Sequence, residues 1–356
     1  MDRCAGDRGR GTGYRAYANV SRAGLVVATT ALAPLLCART FAHICAPMPF
    51  GRAIFLRASK SRWLAERFMR RPFAKRAVKK FMPGEELADA LQASRELVPF
   101  KMGTIITRLG ESLTGESQAD SVRDHYMQAY DQIAKDKLPV VVSVKPTQLG
   151  LDHSFDTCLA HMNTLAQKAV ATNSQLWIDM EDSSYVDRTL DLYRKVKAKY
   201  DPIGLAMQAY LMRNEEDVRK LLDVKPMIRL VKGAYAEPPN VAYPSKKDVD
   251  LKYVSVGEQL LQAAAKGQAH PIFGTHDMTI ISHLISRAGS LGVKPGQYEV
   301  HMLYGIRMAE QKRLASEGHA VRCLISYGEK WFPWYMRRLA ERPANVWFVA
   351  RSMFMK

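Results

Sequence analysis

The sequence predicts a (β/α)8 barrel. Three observations predict it. Eight short β-rich runs lie between residues 102 and 327, helix-patterned stretches separate them, and polar or charged residues stand at or just past the C-terminal ends of the runs. Strands alternating with helices imply βαβ units and a parallel sheet, and eight of them in about 250 residues have the size of a closed barrel. An open doubly wound sheet is the alternative, but no G-x-G-x-x-G follows any of the runs, which removes its usual nucleotide signature.

Three regions follow from composition: a poorly structured or non-native extension over 1–47, a basic helical arm over 48–98, and the barrel over 99–356. The 356 residues are 47% hydrophobic and 24% charged, which is globular composition. The net charge of +17 is unevenly placed: residues 1–84 hold 17 Lys and Arg against three acids, a net of +14, leaving +3 for residues 85–356. A nucleic-acid enzyme would carry that charge along its working surface, so no nucleic-acid partner is expected. The five cysteines (Cys4, Cys37, Cys45, Cys158, Cys323) form no C-x-x-C pair, which argues against a disulfide framework or structural zinc.

Within 1–47, the 13-residue apolar run Leu25–Cys37 is too short to cross a membrane, which takes about 20 residues. Its basic flank resembles a signal peptide or organellar leader. The other reading is a non-native extension with initiation at Met48. Residues 52–81 interleave Ile54, Phe55, Trp63, Phe68, Phe73 and Phe81 with eleven Lys and Arg, and Pro72 splits them into two short helices. Such a pair is either a membrane-surface element drawn to anionic lipid or an arm packing its aromatic side on the barrel. The expected location is cytoplasmic, with peripheral contact at the inner face of the membrane as one option and organellar targeting as another.

The eight runs are Met102–Thr107, Pro139–Lys145, Gln175–Glu181, Ile203–Gln208, Met227–Lys232, Pro271–His276, Gln297–His301 and Val321–Tyr327. Helical stretches between them include Asp120–Lys135, Phe155–Thr172, Val186–Lys199, Glu215–Leu222, Val256–Ala265 and Ile306–Ser316. Reading each run to its end collects Arg108 with Glu111, Lys145, Asp179 with Glu181 and Asp182, Gln208, Arg229 with Lys232, Thr275 with His276, His301 and Tyr327. Buried parallel strands are normally apolar, so charges there need partners or a ligand, and so many on one rim read as a site. The two-residue period puts Arg229 and Lys232 on opposite faces unless the strand ends between them. No His spacing fits a metal ligand set, so none is expected.

A last helix follows Tyr327, with Pro333 in its first turn and Arg337 four residues before Glu341. The adjacent forks of Arg337 and Arg338 suit a carboxylate, and Lys145 would add a third cation.

Taken in order, the segments Leu109–Glu111, Val142–Gly150, Asp179–Asp182, Gln208–Leu211, Arg229–Tyr235, Gly274–His276, Met302–Gly305 and Arg337–Val346 resemble proline dehydrogenase. The resemblance covers roughly residues 50–356 and has the length of the monofunctional bacterial form. It implies a distorted (β/α)8 barrel with bound FAD, oxidation of L-proline to Δ1-pyrroline-5-carboxylate by hydride transfer from C5 to flavin N5, and electrons passed to a membrane quinone. A separate pyrroline-5-carboxylate dehydrogenase would take the product. By resemblance Arg337, Arg338 and Lys145 hold the proline carboxylate, Asp179 and Tyr235 lie near its amine, Glu341 orients an arginine, and Glu111 forms an ion-pair gate to the last helix. Gln208, Arg229, Lys232, Thr275 and His276 match flavin-contacting positions, and Glu299 the ribose end of the dinucleotide.

The sequence also departs from the family pattern. Trp334 and Leu324 stand where tyrosines are usual, Ala236 where an aromatic often follows, Asp277 for an Asn, and His301 for a Gln. Leu324 would enlarge the pocket, which leaves hydroxyproline or another cyclic imino acid as an alternative substrate. A flavin barrel of the methylenetetrahydrofolate reductase kind is a further alternative, and the double-arginine helix argues against it.

Overall fold

In the computed structural model, residues 78–110 and 116–341 are described, with side chains over 78–110 and 117–336. Eight parallel strands close into a barrel in sequence order: β1 (Gly103–Arg108), β2 (Val140–Val144), β3 (Leu176–Ile178), β4 (Ile203–Gln208), β5 (Met227–Val231), β6 (His270–Gly274), β7 (Glu299–Leu303) and β8 (Ala320–Tyr327). Closure comes from β1 pairing with β8, Ile105 opposite Leu324 and Arg108 opposite Tyr327.

Side-chain alternation builds two apolar layers from these strands. Ile106, Val142, Val144, Leu176, Ile178, Leu205, Leu230, Phe273, Val300 and Ile325 face outward into the core under the helices. Ile105, Val141, Trp177, Met227 and Ile272 form a separate cluster inside the barrel, with Leu324 against it. Trp177 is fully buried there. Gly204 makes the room, because a Cβ at that position would lie 2.4 Å from the indole ring.

The helices on the outside are α1 (Leu87–Arg95), α2 (Glu116–Lys135), α3 (Phe155–Ala171), α4 (Val186–Lys197), α5 (Asn214–Leu221), α6 (Lys246–Ala265), α7 (Met278–Ser290), α8 (Met308–Ser316) and α9 (Phe332–Glu341). Local capping sets several starts. Ser154 accepts from the Thr157 N–H, Ser245 from Asp248 and Asp277 from Ile280. The Ser245 cap explains why α6 begins ten residues earlier than its apolar spacing predicts. Of the basic arm, only the part from Val78 onward lies within the described residues, and 1–47 lies outside them. Val78, Phe81 and Met82 pack with Trp331, Phe332, Trp334, Tyr335 and Met336 in a cluster of their own.

Two strands differ from their expected bounds in ways that bear on the site. β3 stops at Ile178, so Asp179 and Glu181 lie beyond the strand, although the Asp179 N–H still reaches the Val144 carbonyl at 2.8 Å. β7 starts at Glu299 because a turn uses the residues before it: the Gln297 N–H bonds the Lys294 carbonyl, its side chain accepts from the Lys294 N–H, and Gly296 takes a φ of +92°.

Candidate active site

One group of polar and charged residues lies in and just beyond the C-terminal halves of β2 to β6. Arg229 points inward from the middle of β5 and is buried. Burial of a lone guanidinium costs several kcal/mol, and three contacts offset that here. Its Nη2 forms an ion pair with Asp179 and donates to Ser143 Oγ at 3.0 Å, while its charge sits 5.0 Å from the centre of the Trp177 ring. The Ser143 hydroxyl donates in turn to Asp179 Oδ1 at 2.8 Å. Burial pulls the guanidinium below its ordinary value, and Asp179 opposes the shift.

Next to it, Gln208 ends β4 and is buried. Its amide donates to the Glu181 carbonyl at 3.1 Å. Glu181 is fixed by the Thr147 N–H at 3.0 Å and the Thr147 hydroxyl at 2.7 Å, so the turns after β2 and β3 hold each other. Arg229 Nη1 and Gln208 Oε1 are both buried without a hydrogen-bond partner among the described residues. A buried unspent donor and a buried unspent acceptor are each costly unless a ligand completes them. The polar edge of an isoalloxazine, which carries ring nitrogens and carbonyls, has the complementary groups, so these residues fit a flavin.

Lys145 follows β2 directly, half-buried, and pairs with no carboxylate among the described residues. It is therefore available to an anion. Lys232 lies just past the end of β5, which resolves the parity question raised by its spacing from Arg229. It pairs with Asp250 and, at 3.2 Å, with Asp277. Burial would raise the Asp277 carboxyl, but Lys232 outweighs it and holds the group below its usual value. Thr275 is buried and accepts from the Asp277 N–H at 3.2 Å. His276 Nε2 accepts from the Leu303 N–H at 2.9 Å, tying the β6 and β7 ends together. Tyr235 is half-buried on the loop after β5.

The helical backbone of α9 carries Arg337, Arg338 and Glu341, but their side chains, like all of Glu111, lie outside the described residues. Leu324 faces the interior cluster with Trp177 and Ile272. Ser143 and Trp177 were missed in the sequence. The signal for Ser143 was present, as the one hydroxyl in Val140-Val-Val-Ser-Val144, whereas Trp177 reads as an ordinary core aromatic.

Glu299 requires a correction. It is the first residue of β7, at the N-terminal end of the barrel, and so stands apart from the rim. There it accepts from His301 Nε2 at 3.0 Å and Arg322 Nε at 2.8 Å, with His270 Nε2 at 3.5 Å. Burial would raise its carboxyl, but these partners hold it well below the usual range. Burial pushes the His301 imidazole down to about 4 against the pull of Glu299. Between pH 6.5 and 4 the unfolded histidine binds a proton that the folded one refuses, so stability falls as pH drops through that window, by roughly 3 kcal/mol for this group. Thermal midpoints measured from pH 7.5 to 4.5 should show the fall, and His301→Gln should make it shallower, leaving the part due to His125, which burial also pushes down to about 4. A variant with the wild-type slope would remove His301 as the cause.

Comparison with known proteins follows the same outline. Residues 90–351 match the family described as proline dehydrogenase. The chain is 35% identical over 305 residues to proline dehydrogenase 1 of Bacillus subtilis (strain 168), an alignment covering 86% of this chain and 99% of that one. It is 33% identical over 279 residues to proline dehydrogenase of Deinococcus radiodurans, covering 77% and 89%. Among solved structures, proline utilization A from Bdellovibrio bacteriovorus, inactivated by N-propargylglycine, superposes with a TM-score of 0.69 at 24% identity. The match covers 75% of this chain and 32% of that one, so the chain spans about a third of that protein's length and the likeness concerns the fold.

Proposed function

The chain belongs to the proline dehydrogenase family and is an FAD-dependent enzyme, and from that premise we propose that it oxidises L-proline to Δ1-pyrroline-5-carboxylate and passes the electrons to a quinone. The observation that carries the reading is the buried Arg229 on the Trp177 face, whose Nη1 is unspent, together with the unspent oxygen of Gln208 on the neighbouring strand.

Bound FAD would supply the hydride acceptor, taking the hydride of proline C5 at N5. Arg229 and Gln208 would hold the polar edge of its ring, while Lys232, Thr275 and His276 would serve its more peripheral groups. Lys145, Arg337 and Arg338 clamp the substrate carboxylate, and the three cations outweigh its single negative charge. Hydride loss needs the ring nitrogen as a free amine, and a strongly cationic pocket disfavours an ammonium. Asp179 is drawn to Arg229, which limits how far its charge can offset this effect. Glu341 orients an arginine of the clamp, and Glu111 closes the entrance against water. Tyr235 packs on the substrate side.

An anaerobic absorbance spectrum tests the reading. A flavin band bleached by L-proline and unchanged by NADH is expected. Bleaching by NADH alone would point to the folate-reductase kind of barrel. Bleaching by hydroxyproline alone would make another cyclic imino acid the substrate, the reading that Leu324 favours because it brings no hydroxyl into the interior cluster. A colourless protein that does not take up FAD would end the proposal.

No helix among the described residues is long and apolar enough to cross a membrane. A quinone acceptor nevertheless calls for contact with one, and residues 52–81 are the candidate surface. Replacing the eight Lys and Arg of residues 52–75 with Gln keeps Val78, Phe81 and Met82, which pack with the start of α9. Full-length protein should pellet with anionic liposomes and the variant should stay in solution. Equal pelleting would count against the arm.

A further inference from the structure

The loop between β5 and α6, residues 232–245, carries Tyr235 and is fastened to the chain after β4. The Tyr210 N–H bonds the Lys232 carbonyl at 2.9 Å, the Met212 N–H bonds Val241 at 3.0 Å, and the Tyr243 N–H bonds Tyr210 at 2.8 Å. The Tyr210 ring lies against Gly233, where a Cβ would come within 2.2 Å of it and φ is +113°, so glycine is required there. These bonds fix the two ends of the loop and its β4 side. Glu237 makes a different connection. Its carboxylate reaches past β4 to the turn that follows β3, where Oε1 accepts from the Ser183 N–H at 2.8 Å and Oε2 from the Ser183 hydroxyl at 2.5 Å. The Tyr210 hydroxyl adds a long third bond to Oε1 at 3.4 Å. Ser183 opens the short 3-10 turn Ser183–Tyr185, four residues beyond Asp179.

We propose that Glu237 is a positioning residue: by gripping Ser183 with both carboxylate oxygens, it holds the Tyr235 loop in register with the Asp179–Arg229 pair across β4. Both oxygens are engaged by one residue, and that two-point grip fixes orientation as well as distance. The Tyr210 hydroxyl also bonds the Tyr235 backbone, which holds the middle of the loop to the β4 side, so what Glu237 adds is the tie to the strand-3 side. Loss of that tie would move Tyr235 relative to Asp179 while leaving the flavin-side contacts of β4, β5 and β6 in place. The inference rests on the proposed role of Tyr235 at the substrate.

The test uses the full-length holoenzyme with Glu237→Ala, Ser183→Ala, the double variant and Glu237→Gln. Amide hydrogen exchange across 234–240 should quicken about tenfold in either alanine variant and no further in the double, because both remove one contact. KM for L-proline should rise about tenfold in the same two variants, with kcat within about twofold and FAD affinity unchanged. Glu237→Gln keeps one acceptor oxygen and should recover part of the loss. Additive effects in the double variant, or unchanged exchange and KM, would overturn the latch. Faster exchange with unchanged KM would overturn the positioning role. Exchange needs no substrate, and wild-type bleaching by proline is scored separately, so failure of the latch is distinguishable from failure of the proposed reaction.

Discussion

Arg229→Met is expected to yield a protein without flavin and with sharply reduced stability. Methionine keeps an unbranched, largely apolar chain at the site but is too short to reach where the guanidinium lies on Trp177, so the substitution removes charge, hydrogen bonding and that ring contact. Asp179, whose side chain is only 18% exposed, loses its ion-pair partner. Breaking a buried pair from one side costs about 3–5 kcal/mol, because the remaining charge stays desolvated. Ser143 cannot take over, since its hydroxyl already donates to the same carboxylate. The unspent Nη1 is lost as well, and with it the donor proposed for the flavin edge. Urea titration and the visible spectrum measure the two effects separately. Arg229→Met/Asp179→Asn should recover part of the stability without restoring colour, because it neutralises the stranded carboxylate and returns no donor. A yellow Arg229→Met protein of wild-type stability would remove the residue from both roles.

Arg338→Met is expected to act on substrate alone. Removing one fork from the proposed carboxylate clamp should cost about 2–5 kcal/mol, and the lower figure already raises KM for proline about 30-fold. FAD should stay bound, because the residues proposed for the flavin stand on or just past β4 to β6 while Arg338 stands on α9, whose start packs in a cluster separate from the barrel core. Proline titration by steady-state rate, together with flavin content of the purified variant, checks both halves. An unchanged KM would eliminate the arginine pair as the clamp.

The two expectations rest on different kinds of knowledge. Arg229 was recognisable as unusual because a guanidinium in Met-Ile-Arg-Leu-Val breaks an apolar strand, and its partner was within the same reading, at the end of the third run. Their direct pairing was not legible, since 50 residues separate them and only barrel closure brings the strand ends to one rim. Arg338 was read from spacing and family resemblance, and the path of its helix is now seen to begin against Val78, Phe81 and Met82.

What the sequence determined by itself was the barrel: strand number, order and parallel pairing follow from alternating apolar runs and helical periods, which are properties of neighbouring residues. What the tertiary structure decided was which polar residues share a surface. Glu299 and Arg229 look alike in sequence, each a charged residue in an apolar run, yet Glu299 opens β7 and meets His301 and Arg322, whereas Arg229 stands mid-strand in β5 and reaches Asp179 beyond the end of β3. A two-residue period reports which face a side chain takes but not its height along the barrel axis. That height depends on where each strand starts and how its neighbours are staggered, and those follow from turns such as Lys294–Gln297 and from contacts between residues far apart in the chain.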